Sequence, residues 1–242
     1  MLRLHYNLEK ISMGLVGAII LAASIGGLVE IAPLFTIDKT VEIPADLRPL
    51  TPLELAGREI YMREGCYACH SQMVRSLADE IDRYGPYSLA SESAYDHPML
   101  WGSKRTGPDL ARLGEKYSDA WQVAHLTDPR AVVPASIMPS YPWLSQSLDT
   151  SNLSGELATL AKLGVPYDEA MVANAEADAA AQARPDGTGT EGFRARHGDR
   201  PAQRAFDGDP ARLTEMDALV AYLQSLGTQT DAAKAVLAGD AP

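Results

Sequence analysis

Residues 51–70 read TPLELAGREIYMREGCYACH. Thr51 is placed to cap a helix, Pro52 suits its first position, and Glu54 completes a capping box three residues after the cap. The helix is expected from about Pro52 to Glu64, with Gly65 closing it. Leu53, Ala56, Gly57, Ile60 and Tyr61 recur at three- and four-residue spacing and share one face. Directly after the closing glycine come Cys66, Tyr67, Ala68, Cys69 and His70. A helix that delivers a Cys-x-x-Cys-His pentapeptide, with no strand pattern around it, decides how the rest of the chain is read.

Cys-x-x-Cys-His is the signature of covalent haem attachment. Each thiol can form a thioether bond to a vinyl group, the two spacer residues set the reach, and the adjacent histidine falls under the iron. The expected cofactor is therefore one haem c, bound through Cys66 and Cys69 with His70 as proximal ligand. A thioredoxin-like redox pair calls for a βαβ setting, which this stretch lacks. A structural zinc site needs four ligands, and the two cysteines with His5, His70, His97, His125 and His197 match no finger spacing. A dinuclear copper site would need two histidines and a methionine grouped near both cysteines, and no such cluster is present. With only two cysteines, both in this stretch, a disulfide framework is excluded.

Methionine opposite histidine is one of the ligand pairs used for electron transfer, and it raises the potential. Met138 lies 68 residues after His70, inside a proline-rich stretch with Pro129, Pro134, Pro139 and Pro142, where no regular helix is expected. Such a stretch can present a side chain rigidly, although methionine is also a common core filler. Met99, His97, His125 and Met73 are the rivals, with Met73 too near His70 to cross a haem plane easily. Pro108, in Gly107-Pro108-Asp109-Leu110, can offer its carbonyl to the ring N–H of His70. Trp101, Lys104 and Arg105 can cover or pair with haem propionates, or simply form a solvated loop.

Outward from this centre, Ile11 to Val29 is an uncharged run of 19 residues without proline, about the length a membrane span requires. It is long for the apolar core of a cleaved signal, so an uncleaved anchor over residues 11–32 is expected. Gly14, Gly17, Ala18, Ala22, Gly26 and Gly27 could admit a neighbouring transmembrane helix. Residues 33–50, with three prolines, read as an extended tether. A domain over residues 51–228 follows, and residues 229–242 form a frayed tail. Within the domain, helices are expected from about Ser118 to Thr127, Leu153 to Leu163, and Asp168 to Ala183. A last helix capped by Thr214 and Asp217 ends at Gly227. Gly57 and Tyr61 are expected to pack on Leu219, Tyr222 and Leu223 of that helix. Residues 184–210, rich in glycine, proline and arginine, read as a mobile loop or one ordered by a neighbouring subunit. The soluble part is mostly α. A net charge of −11 argues against nucleic acid as a partner; the acidity can attract a basic protein partner or simply keep the domain soluble.

Four motifs then fall in one order: CYACHSQMVR (66–75), GPDL (107–110), HLTDPR (125–130) and MPSYPWL (138–144). With the N-terminal span, they make the chain similar to the mono-haem cytochrome c subunit, subunit II, of cbb-type haem–copper oxidases. The resemblance covers roughly residues 1–170 and the last helix, and nothing in 184–210 contributes to it. It implies a class I cytochrome c-like domain with inserted loops, with His70 and Met138 as axial ligands. It also implies a catalytic haem–copper partner that reduces oxygen and pumps protons, and electrons arriving from a di-haem cytochrome c subunit or a soluble cytochrome. Membership of the c-type class implies attachment outside the bacterial cytoplasmic membrane. That places residues 1–10 in the cytoplasm and the domain in the periplasm. A free-standing anchored cytochrome shuttle would share the same chemistry, though the long domain argues against it. The cytochrome c subunit of a bc complex is typically anchored at its other end, and a haem enzyme or sensor would leave an axial position open.

Overall fold

A computed structural model of the chain describes residues 6, 10–36, 41–185 and 187–230. The expected cytoplasmic N-terminus, residues 37–40 of the tether and the tail beyond residue 230 therefore fall almost wholly outside the described residues. The chain divides into two compact units, Met1–Glu42 and Ile43–Pro242.

In the first unit, helix α1 (Ser12–Ile31) runs into a 3₁₀ turn, Ala32–Thr36. The stretch Ser12–Phe35 has a mean hydropathy of 2.2, and none of it is buried by the protein itself. A helix apolar on every side has no polar face to turn to water, and this one is long enough to cross a membrane.

The second unit is helical, and among the described residues its only β pairing is an isolated bridge between Ser147 and Thr214. Its helices are α2 (Pro52–Arg63), α3 (Ala78–Tyr84), α4 (Asp119–Thr127), α5 (Pro129–Val132), α6 (Leu153–Lys162), α7 (Glu169–Ala173), α8 (Ala175–Ala183), α9 (Thr190–His197) and α10 (Glu215–Ser225). Both anticipated capping boxes form, Thr51 with Glu54 and Thr214 with Asp217. Gly65 and Gly227 follow their helices with φ of +71° and +78°, a backbone region that glycine enters without steric penalty.

Helices α2 and α10 cross at the centre of the core. The crossing depends on Gly57: a Cβ there would overlap the Ala218 carbonyl and lie 2.7 Å from Tyr222 Cβ. The missing side chain lets the backbones close, so Tyr61 meets Tyr222 edge to face at 5.6 Å. Leu53, Tyr61, Leu219 and Val220 are sealed from solvent around this contact. At the rim, Arg63 donates to both carboxylate oxygens of Glu215, at 2.7 and 2.5 Å.

Residues 145–213 pack on the other flank of α2. Thr51 Oγ1 donates to Gln182 Oε1 at 2.5 Å, and the Tyr167 hydroxyl donates to the Leu50 carbonyl at 2.8 Å. Here the structure departs from the sequence reading in three places. The alanine-rich stretch is two helices, because Asn174 leaves helical geometry (φ −107°, ψ 10°) while its side-chain amide donates to Ala170 O. The proline-rich stretch holds one helical turn, α5, since Pro129 at its first position has no N–H to lose. Residues 184–210 contain α9. Phe193 on that helix is fully buried, and Arg196 and His197 both bond the sealed carboxylate of Asp178 on α8.

Candidate functional site

The Cys-x-x-Cys-His stretch forms a 3₁₀ turn, Cys66–Ala68, launched by the left-handed Gly65. The amides of Cys69 and His70 both donate to the Cys66 carbonyl, at 3.0 and 2.9 Å. This tight turn leaves Cys69 exposed and Cys66 half-buried. Burial pushes the Cys66 thiol up to about 11. A thiol that stays protonated at neutral pH is a poor nucleophile.

His70 lies against the segment Gly107–Leu110. Its Nδ1 is 2.8 Å from the Pro108 carbonyl oxygen. A carbonyl can only accept, so Nδ1 carries the proton and Nε2 keeps a free lone pair, the state required of a metal ligand. Gly107 makes room for the ring: a Cβ there would overlap His70 Cε1 and stand 2.7 Å from Nδ1.

His70 opens onto a cavity of about 120 Å³. Tyr61, Leu219 and Leu223 from α2 and α10 line one side, and Pro108, Leu110 and Leu113 line the next. Helix α4 supplies Trp121, Gln122, His125 and Leu126, with Tyr117 just before it, and Met138 closes the lining. Tyr117, Trp121 and His125 stack in series, with ring centroids 4.1 and 4.6 Å apart. The Met138 loop is anchored where it passes α4: Tyr141 N donates to Leu126 O at 2.8 Å, and Met138 N to Ser136 Oγ at 3.2 Å.

Of the residues singled out from sequence, Cys66, His70, Pro108 and Met138 line this one cavity. Among the rival ligands, His125 also lines it, whereas His97 and Met99 are exposed and Met73 lies outside. Burial lowers His125 below the ordinary imidazole value, with His70 adding to the effect. The structure does not bring Trp101 or Arg105 to the lining. The indole N–H of Trp101 donates to Ser93 Oγ at 2.9 Å. The Arg105 guanidinium bonds Glu80 at 2.6 and 2.8 Å, and Lys104 is exposed. A buried anion, Glu80, claims the arginine that sequence alone offered to a propionate. Arg105 and Arg75 hold the Glu80 carboxyl down at about 2.

The residues present fit a haem by their chemistry. The cavity offers an imidazole with a free Nε2 and a thioether sulfur in a lining that is otherwise mainly apolar. Two polar atoms in it, Gln122 Nε2 and His125 Nδ1, are buried without a hydrogen-bond partner. Their place on this cavity leaves both free to bond polar atoms of a bound group. Sequence reading gave Gln122 no role, although its three-residue spacing from His125 on a helix was a usable signal. Among the described residues, no three His, Cys, Asp or Glu side chains group to hold a bare metal ion.

A comparison with curated proteins gives no match. A family model described as "Cytochrome C oxidase, mono-heme subunit/FixO" matches residues 5–230. That span includes helix α1, the Cys-x-x-Cys-His turn, the cavity and helices α6–α9, so the chain belongs to the FixO family of cytochrome c oxidase mono-haem subunits.

Proposed function

We propose that this subunit carries electrons, through one covalently bound haem c, from c-type cytochromes to the haem–copper subunit of a cbb-type terminal oxidase, which reduces oxygen and pumps protons. On this reading Cys66 and Cys69 hold the group by thioether bonds, and His70 and Met138 are its axial ligands. The domain is a class I cytochrome c fold carrying inserted helices. When bound, the group supplies one-electron oxidation and reduction at its iron. The chain's own residues do the rest. The Pro108 carbonyl keeps the proton on Nδ1 of His70, so that Nε2 points its lone pair into the cavity. Leu110, Leu126, Leu219 and Leu223 keep water away, which favours methionine sulfur as a ligand and a raised potential. Gln122 and His125 stand ready to hydrogen-bond polar atoms of the group.

The single observation that carries the reading is the placement of His70 and Met138 on one largely apolar cavity beside the Cys-x-x-Cys turn, in a chain of this family. Helix α1 would anchor the subunit in the bacterial inner membrane, with residues 1–10 cytoplasmic and the haem domain periplasmic. Its partners would be the catalytic subunit, a di-haem cytochrome c subunit and lipid. The subunit does not reduce oxygen itself.

The test is a reduced-minus-oxidised visible spectrum of the tagged chain, purified from membranes in mild detergent. A c-type band with b-type bands and oxygen consumption supports the oxidase assignment. A c-type band without co-purifying haem b points instead to a free-standing shuttle. No c-type band, from a host able to attach the group, ends the proposal.

A further inference from the structure

The contact between His70 and Pro108 joins two segments, residues 69–73 and 105–111, that no secondary structure holds together. Two backbone bonds align them: Gly107 N donates to Cys69 O at 3.0 Å, and Leu110 N to Ser71 O at 2.9 Å. Between these bonds sits Asp109, whose side chain is sealed from solvent. Its Oδ2 accepts from the Ser71 hydroxyl at 2.6 Å and from the Met73 amide at 2.8 Å. Its Oδ1 accepts from the Ala111 amide at 2.8 Å. Arg105 stands 3.6 Å from the same carboxylate and donates to Ser71 Oγ at 2.7 Å and Met73 O at 2.9 Å. Glu80, also buried, fixes the far side of that guanidinium.

We infer that Asp109 is a positioning residue for the haem iron, setting the imidazole of His70 through the Ser71 and Pro108 segments. The inference rests on the haem reading above. A buried carboxylate costs several kcal/mol unless it is paired and hydrogen-bonded. Here every bond that pairs it also ties one segment to the other or fixes the turn that presents Pro108. Ser71 is the neighbour of His70, and Asp109 is the neighbour of Pro108. The link therefore acts one residue from the ring on one side and one residue from the carbonyl on the other. A slip of an ångström between the segments would stretch the 2.8 Å contact beyond hydrogen-bonding range. That contact makes the imidazole a stronger electron donor and favours oxidised iron. Loosening it therefore moves the reduction potential upward. It also frees the ring to turn about its axis.

Asp109→Asn offers an amide where two backbone N–H groups need acceptors, so one of the two must lose its bond. It also removes a charge, which would raise the potential without any movement of His70. Ser71→Ala separates the two effects, because it deletes the 2.6 Å bond and leaves every charge in place. Both variants of the full chain are purified in detergent with the group attached. The readouts are a redox titration, the low-spin EPR g values that report imidazole orientation, and circular dichroism. The expected result is an upward shift of potential in both variants, larger for Asp109→Asn, with altered g values and unchanged helix content. Wild-type potential and g values in Ser71→Ala overturn the inference. Should Asp109→Asn fail to fold, Ser71→Ala alone decides. A wild-type chain with no c-type band would instead defeat the proposed function.

Discussion

The two flanks of helix α2 are built on opposite plans. On the flank that meets α10 and α4, close packing surrounds a cavity in which Gln122 Nε2 and His125 Nδ1 have no protein partner. On the flank formed by residues 145–213, several buried polar groups pair with one another, although Glu156 Oε2, Arg184 Nε and Gln203 Nε2 also lack a protein partner. Asp178 holds Arg196 and His197, and Gln182 takes the Thr51 hydroxyl while donating to Ala202 O at 3.1 Å. Under the proposed function, the first flank is completed by the bound group. The second braces α2 from behind through these paired groups. Leaving a buried polar group unpaired costs about 1–3 kcal/mol, so orphaned atoms gathered on one cavity wall indicate function more reliably than a charged loop does.

The largest test of this contrast is Gly57→Val. Even its Cβ would collide with the Ala218 carbonyl, and both flanks hang on α2. Overpacking a core costs about 1–3 kcal/mol or more. With backbone rather than a flexible side chain in the way, we expect no cooperatively folded domain by circular dichroism and no attached cofactor. Folding at wild-type stability would show that the helix crossing is not the keystone of both flanks.

Phe193→Ala tests the brace alone. Truncating a sealed phenylalanine costs about 3–5 kcal/mol. The thermal midpoint should drop while the visible spectrum of the native protein stays as in wild type. A changed axial-ligand spectrum would mean that the flanks are coupled and the contrast is too sharp.

A smaller effect is expected from acid. Burial pushes the Asp178 carboxyl up, but Arg196 and His197 more than offset this, and the group sits below the ordinary carboxylate value. A group whose value is depressed on folding contributes stability that is present above its unfolded value, about 3.9. That stability is lost as pH falls through the lower folded value. The thermal midpoint should therefore decline more steeply below about pH 4 in wild type than in Asp178→Asn. Parallel declines would remove Asp178 from the account.

Sequence was a good guide where the determinants are local. The Thr51–Glu54 and Thr214–Asp217 caps need only four consecutive residues each, and the α2 face follows from helical spacing. The Cys-x-x-Cys-His turn and Pro108 could be picked out because each stands in a short motif. Helix α9 was not legible. Its own sequence, with a glycine and three basic residues, is a weak helix former, and it is held by the burial of Phe193 and by Asp178 eighteen residues upstream of Arg196. The pairing of Arg105 was not legible for a related reason: its partner Glu80 lies 25 residues away on a helix that has no strong periodic signal. Asp109 passed unnoticed because an aspartate after a proline looks like an ordinary turn residue.

The α2–α10 crossing joins Gly57 to Ala218, near opposite ends of the domain. Loop closure over such a span is entropically demanding and comes late in folding. A chain emerging from its N-terminus therefore shows Cys66 and Cys69 well before Leu219 and Leu223 can close over Cys66. Under the proposed function, this order leaves a period in which a ligation apparatus meets both thiols on an open chain. Once α10 docks, the attached group is enclosed. On that reading, the late-arriving helix would act as a clock that separates maturation from service.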